Sequence, residues 1–532
     1  MVFAFTLPTT SPLSFQTFIS SPTHPSLPQS ASTARHALRL ALKAHKRLPR
    51  GARQDAHLPA VLAALNEYIP YLFAISNGLS AESAQVESFE TPTYQSGGDA
   101  TEVVSHAEVQ SSWKATLSAN TGGGLNIHAP SGQTNHKLHR LHGGRTAGLG
   151  IDFEIAFTLT TLGYVLSRLA RAEVLGSLYA PKTQSQEQRT TAVQNATRNL
   201  LQASSVHSLL ATSTVYASVP VISTPEIDPG TQSALASLAL SEATLLAVLK
   251  DDAYVTACIQ SRNPNDRDWM VRAPEIPKVR ALLFARLCVR AAEYAEQAAA
   301  GLSAVGSGAR KLESVNEEIV RYAGVLGRVA RARACRFFAI DAELAGKTGE
   351  AIAWLRAARS ALGLRPGVDT HSTEQREHSS SSGKGGFSRL KREWTERREE
   401  KKIGKDAGTG RGDKGILDAG DDAGRDEEGR VITMLETKWM KQNDTINTQA
   451  IPPSAPLLAN LPSGRDIHAP PAPFTPPPLE DDQLMRMRAP PDESVTTRFG
   501  SDPDDSEEEQ LGPAAAPGTY PDRRQTASNV YY

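Results

Sequence analysis

Three imidazoles recur at three-residue spacing in His136-Lys-Leu-His139-Arg-Leu-His142, an arrangement that can in principle hold zinc or copper. No carboxylate or thiolate stands near them, and the flanking residues are rich in Gly and Asn, so the stretch reads as part of a long surface loop over 119–148. Gly306-Ser-Gly308-Ala-Arg-Lys311 carries the residue types of a phosphate loop. It lacks the GxxxxGK[ST] spacing and follows a helical pattern rather than a strand, which makes it a turn. The carboxylate pairs Asp251-Asp252 and Glu317-Glu318 fall on amphipathic patterns as solvated faces, and no GxSxG, HExxH or Cys/His pairing occurs. Catalysis has no visible constellation, and the chain calls for no metal and no cofactor.

Without such a site, the elements themselves become the subject. MVFAFTLPTTSPLSF alternates apolar with polar or small residues and contains Pro8 and Pro12, which predicts a short extended segment. Helical patterns follow at 30–48, with Leu38 and Leu42 on one face and Arg39, Lys43, Lys46 and Arg47 on the other, and at 54–79, where Pro70 should kink the helix. Beyond the loop, 151–174, 192–217, 232–260 and 278–305 repeat apolar residues at helical spacing with many alanines, the mark of closely packed helices. Residues 315–362 read as two helices broken at Gly346-Lys347-Thr348-Gly349, a tetratricopeptide-like hairpin with no 34-residue repeat to extend it. Arg328, Arg331, Arg333 and Arg336 form a basic helix face that, like that of 30–48, could touch acidic partners or anionic lipid and is read as solvated.

Composition limits how much of the chain packs. Of 532 residues, 39% are apolar and 34 are proline, so part of the chain must be loop or tail. The Ser- and charge-rich stretch 366–430 predicts an insertion carrying one solvated helix at 387–402, order returns at 429–453, and the acidic, Pro-rich end predicts a disordered tail over 476–532. Lys and Arg number 57 against 58 Asp and Glu, a net charge of −1, which gives no global pull toward nucleic acid or anionic lipid. Cys258, Cys288 and Cys335 sit in Ala/Leu-rich patterns as small buried residues, which fits a reducing, cytosolic compartment. The stretch from Ala234 to Leu249 is interrupted by Ser237, Ser241, Glu242 and Thr244 and is not expected to span a membrane.

Four segments together resemble the Bro-type domain family: the strand-like start followed by LNEYIPYLF; the long-helix core; EYAEQAAAG with the later RARACRFFAIDAELAGKTGEAIAWLRAARSAL; and the closing KQNDTINTQAIPPSAPLLANLP. The resemblance covers roughly residues 1–475. Asn447 stands where the family usually has Tyr, and this departure, the insertion and the lack of a following coiled coil are most similar to the family's fungal pH-response branch. What the resemblance implies is a mostly α, curved Bro-type helical domain with a tetratricopeptide-like hairpin core and a short N-terminal β segment. It also implies a non-enzymatic adaptor of ambient alkaline-pH signalling that binds the C-terminal helix of an ESCRT-III filament subunit. Further partners would include a calpain-like protease module, with membrane association through partners at endosomal or plasma-membrane ESCRT sites. By position in the matching helices, Ala247, Val248, Leu283 and Leu287, with Leu246 and Phe284 as neighbours, would supply the helix-binding patch. Arg465 is a lone charge that either packs the closing segment or contacts a partner. A tetratricopeptide-like scaffold for another peptide is the alternative.

Overall fold

The computed structural model of the chain describes residues 2–87, 102–118, 145–180, 185–213, 224–260, 278–305, 314–364 and 422–490. The histidines at 136, 139 and 142, the turn at 306–311, the helix expected at 387–402 and the tail from 491 onward lie outside them. Met1–Arg488 form one compact unit, and Ala489–Tyr532 are a second.

Helices dominate. They are α1 Leu27–Arg47, α2 Ala52–Asp55, α3 Leu58–Glu87, α4 Ile151–Ser177, α5 Gln186–Thr212, α6 Pro229–Leu249, α7 Ala253–Gln260, α8 Lys278–Ala304, α9 Glu317–Leu344, α10 Thr348–Leu362, α11 Arg425–Gln442, α12 Ala455–Ala459 and α13 Asp481–Met487. The long ones pack in chain order, α1 on α3, α3 on α4, then α4, α5, α6, α8, α9, α10 and α11 each on the next. Pro70 lies inside α3. α6 is buried on nearly all sides because it lies between α5 and α8. Pro229–Leu249 and Ala52–Leu79 are long and apolar enough to cross a bilayer. The former is a core helix, so its apolarity has a packing explanation.

Small residues permit the close approach. A Cβ on Gly301 of α8 would stand 3.0 Å from that of Ala234 on α6, and the Ser241 hydroxyl of α6 donates to the Ala291 carbonyl of α8 (2.8 Å). The continuous pattern at 232–260 is in fact two helices. Asp252 ends the first and caps the second, its carboxylate accepting from the Val255 N–H (3.2 Å).

Among the described residues five short strands join this array: β1 Thr9–Thr10, β2 Ile19–Ser20, β3 Val104–Ser105, β4 Gln110–Lys114 and β5 Thr146–Leu149. They pair antiparallel, as β1-β4-β5 and β2-β3. Only the N-terminal one was legible; β4 and β5 are short and flank the Gly-rich stretch, which concealed their pairing.

Two buried ionic clusters tie distant elements. Glu154 of α4 accepts from Arg35 of α1 (2.8 Å), Trp113 of β4 (2.8 Å) and Tyr68 of α3 (3.0 Å). Burial alone would raise that carboxyl, but the Arg35 guanidinium holds it below its ordinary range. The second cluster corrects two expectations at once. Arg333 and Arg336 of α9 and Asp252 are wholly buried rather than solvated: Arg336 pairs with Asp252 (2.5 Å) and with Glu428 of α11 (2.5 Å), and Arg333 with Glu428 (3.0 Å). All three cysteines are buried, and burial lifts the Cys288 thiol to about 12, which leaves it protonated and inert at neutral pH.

The packed unit also runs further than composition suggests, since Leu479 and Met487 are buried and carry it to Arg488.

Candidate functional site: a helical face bounded by the closing segment

The motif after α11 closes onto the α9–α10 turn. Residues Asn443–Asn447 form one turn of π-helix, and Thr448 follows with a left-handed backbone (φ 43°). Asn443 brackets that turn: its amide donates to the Gln449 carbonyl (3.0 Å) and its Oδ1 accepts from the Gln449 N–H (3.0 Å). The Gln449 side chain then accepts from Gly349 N–H (3.0 Å) and donates to the Gly346 carbonyl (2.8 Å). Gly349 has to be glycine, because a Cβ there would run into the Ala450 carbonyl. Asn447, the departure from the usual Tyr, donates to the Thr348 hydroxyl (2.7 Å), so it too serves the closure.

From Leu461 the chain crosses three helices. The Arg465 N–H donates to the Arg286 carbonyl of α8 (3.1 Å), Arg286 Nε donates to the Ser463 carbonyl (3.2 Å), and the Ser205 hydroxyl of α5 donates to the Ala472 carbonyl (2.5 Å). Asp466 accepts from Arg290 (2.8 Å) and from the Tyr294 hydroxyl (2.7 Å), and these bonds hold its carboxyl below the usual range. Arg465 itself is exposed; its backbone, not its charge, docks the segment. Gly464 sits so close that a Cβ would stand 2.7 Å from Arg290 N and Cα. Gly464→Ala is therefore expected to lift this strap and speed tryptic cleavage after Arg465 severalfold; an unchanged cleavage rate would show that the strap is held elsewhere.

Beside the strap, the C-terminal turn of α6, the first turns of α8 and the N-terminal half of α5 form one face. Of the six residues expected in a helix-binding patch, the structure places two on it. Leu283 is 36% exposed and Ala247 is half-buried. Leu246, Val248, Phe284 and Leu287 are buried core residues, because α6 and α8 pack on both flanks and helical periodicity does not say which apolar stripe meets a neighbour. Ala247 borders a cavity of about 360 Å³ lined also by Val193, Arg198, Leu201, Lys250 and His468.

Sequence reasoning missed Leu282 and, on the strap, Ile467, 46% and 45% exposed. It also missed Arg198 and Lys250, which have no ion pair among the described residues. The signal for Leu282 was present in Arg280-Ala-Leu-Leu-Phe-Ala-Arg286, two leucines between cations. Among the described residues no group of His, Cys, Asp or Glu is arranged to hold a metal ion.

The site is a stack of helices carrying an apolar face rimmed by cations that have no ion pair among the described residues. Over 535 residues the chain is 56% identical to the pH-response regulator protein palC of Emericella nidulans, covering all of both chains. No family model matches. Solved structures similar to it include ALIX BRO1 in a complex with CHMP4C (14% identity, 89% of this chain and 96% of that one, TM-score 0.46). ALIX in complex with the SIVmac239 PYKEVTEDL late domain is another (15% identity, 94% and 53%, TM-score 0.48). The chain belongs to the palC family of pH-response regulators.

Proposed function

We propose that this chain is a non-enzymatic adaptor in ambient alkaline-pH signalling that binds the C-terminal helix of an ESCRT-III filament subunit and links the pathway's calpain-like protease module to ESCRT at membranes. The pH assignment is supported by full-length identity to a pH-response regulator. The binding mode is supported by the face where α5, α6 and α8 meet. Leu282, Leu283 and Ala247 offer apolar anchors, and Arg198, Lys250 and Arg280 surround them without ion pairs among the described residues. Such a face suits an amphipathic helix whose polar side is acidic. The adaptor would work in the cytosol and reach endosomal or plasma membrane through its partners, with residues 1–475 supplying the binding surface and the acidic segment beyond Arg488 dispensable for it.

Leu283→Asp is expected to weaken binding of the isolated helix by roughly thirtyfold, the loss of about 2 kcal/mol typical of an apolar anchor, with an unchanged melting temperature. Leu287→Asp is the contrast. It is 1% exposed, so its carboxylate would be buried unpaired and should unfold the domain. Retained helix affinity in folded Leu283→Asp would remove this face from the proposed site.

A further inference from the structure

A second charged face lies on the other end of the array. Arg35 of α1 points inward, donating to the Ser11 carbonyl (2.5 Å) and the Thr10 hydroxyl (2.5 Å). Arg39 and Lys43 follow at four-residue steps, with Lys46 and Arg47 one turn on, so the same side of α1 emerges from the core as a row of cations beside the sheet. There it meets Lys114 of β4 and Arg145. The β4–β5 register, in which Trp113 faces Thr146, sets Arg145 opposite Lys114 when carried one residue further, and Arg145 also donates to the Thr9 carbonyl (3.4 Å). Like charges directly across an antiparallel pair are destabilising.

Six cations from α1, β4 and the residue preceding β5 thus share one surface, and none has an ion pair among the described residues. Loss of water and then Arg39, Arg145 and Arg47 lower the Lys43 ammonium; loss of water and then Lys114 and Arg145 lower that of Lys46. The Arg39 Nε is buried without a partner. At the margin of the row, between Arg39 and Lys43 in sequence, stands Leu40, 51% exposed.

We infer that this face, formed by Arg39, Lys43, Lys46, Arg47, Lys114 and Arg145 beside Leu40, binds the surface of an anionic lipid bilayer directly. The cations supply the electrostatic attraction to headgroup phosphates, and the single exposed leucine beside them can enter the acyl boundary. A purely acidic peptide would satisfy the charges and leave Leu40 in water. The protein would then touch membrane through its own surface as well as through partners.

The test is flotation of the full chain with phosphatidylcholine vesicles, with and without phosphatidylserine. Binding is expected only with the anionic lipid, and to fall as salt rises. Lys43→Glu with Lys46→Glu should cut vesicle affinity by an order of magnitude or more, at about fivefold per cation removed, with an unchanged or higher melting temperature because repulsion is relieved. Leu40→Ser should weaken binding while preserving its salt dependence, and Arg321→Glu, on the exposed start of α9, should change nothing. Equal flotation with neutral vesicles, undiminished binding in the double variant, or capture by polyglutamate without flotation would each overturn the inference, the last assigning the face to an acidic peptide.

Discussion

Glu428→Ala is expected to cost about 3–5 kcal/mol, because it strips the carboxylate from two buried guanidiniums at once. Glu428 is wholly buried and pairs with both Arg333 and Arg336. Two of the Arg333 terminal nitrogens have no hydrogen-bond partner even with Glu428 present, so removal would leave that side chain uncompensated. Against a typical total of 5–15 kcal/mol, such a loss approaches unfolding. α11 should come off first, since Glu428 anchors it to α9, and cleavage within 425–442 should precede loss of the remaining helices. Glu428→Gln keeps hydrogen-bond acceptance without the charge and should fall between the two. The pH dependence carries a definite sign. Burial alone would raise the Glu428 carboxyl, but Arg336 and Arg333 hold it below its ordinary 4.5. Its stabilisation is therefore fully present above about 4.5 and is lost as pH falls through the depressed value. A Glu428→Ala melt within 1 kcal/mol of the unaltered protein would contradict this account.

The second large effect has the opposite sign. Glu242 of α6 is buried where the N-terminal segment crosses the helices; it accepts from the Phe3 N–H (2.9 Å) and the Tyr322 hydroxyl (2.9 Å). Burial pushes its carboxyl up to about 7, with the Phe3 and Tyr322 bonds and then Arg171 opposing that rise. The folded state holds a proton that the unfolded chain releases near 4.5, so this group destabilises the fold as pH rises from about 4.5 to 7, and the loss levels off above 7. A shift of that size corresponds to about 3 kcal/mol at most. Glu242→Gln should flatten this part of the stability profile and make the protein more stable above pH 7 by about 1–2 kcal/mol. Melting curves at pH 5, 6, 7 and 8 decide it, and parallel profiles for the two proteins would rule the mechanism out.

The long helices and the closing motif were readable because each depends on neighbours in sequence. Alanine-rich periodicity marks α6 and α8 whatever they pack against, and Asn443 meets Gln449 only six residues away. The hairpin broken at Gly346-Lys347-Thr348-Gly349 was equally local. What stayed hidden involves charges whose partners are far along the chain. Arg333 and Arg336 looked solvated because Glu428 lies more than ninety residues later, and Asp252 looked like half of a surface pair because nothing nearby announces Arg336. The helix face suffered the same limit. Leu287 and Leu283 are one turn apart on α8 with identical chemistry, yet one is 1% and the other 36% exposed. That difference is decided by where α9 and α6 lie, which no period of 3.6 encodes.

The separation of Arg336 from Glu428 by 92 residues also sets an order of events during synthesis. At typical elongation rates of about 5–20 residues per second, the two arginines exist for roughly 5–20 seconds before their carboxylate has been made. Asp252 precedes them and neutralises only one. Until α11 arrives, burying α9 would strand a positive charge in the core, so the nascent chain gains by keeping that end open and hydrated. Arg35 of α1 waits in the same way for Glu154 of α4, made 119 residues later, so both ends of the array close only when a distant carboxylate arrives. A chain that terminates before residue 428 would thus stall half-closed, with the hairpin's apolar side still available to whatever holds unfinished proteins.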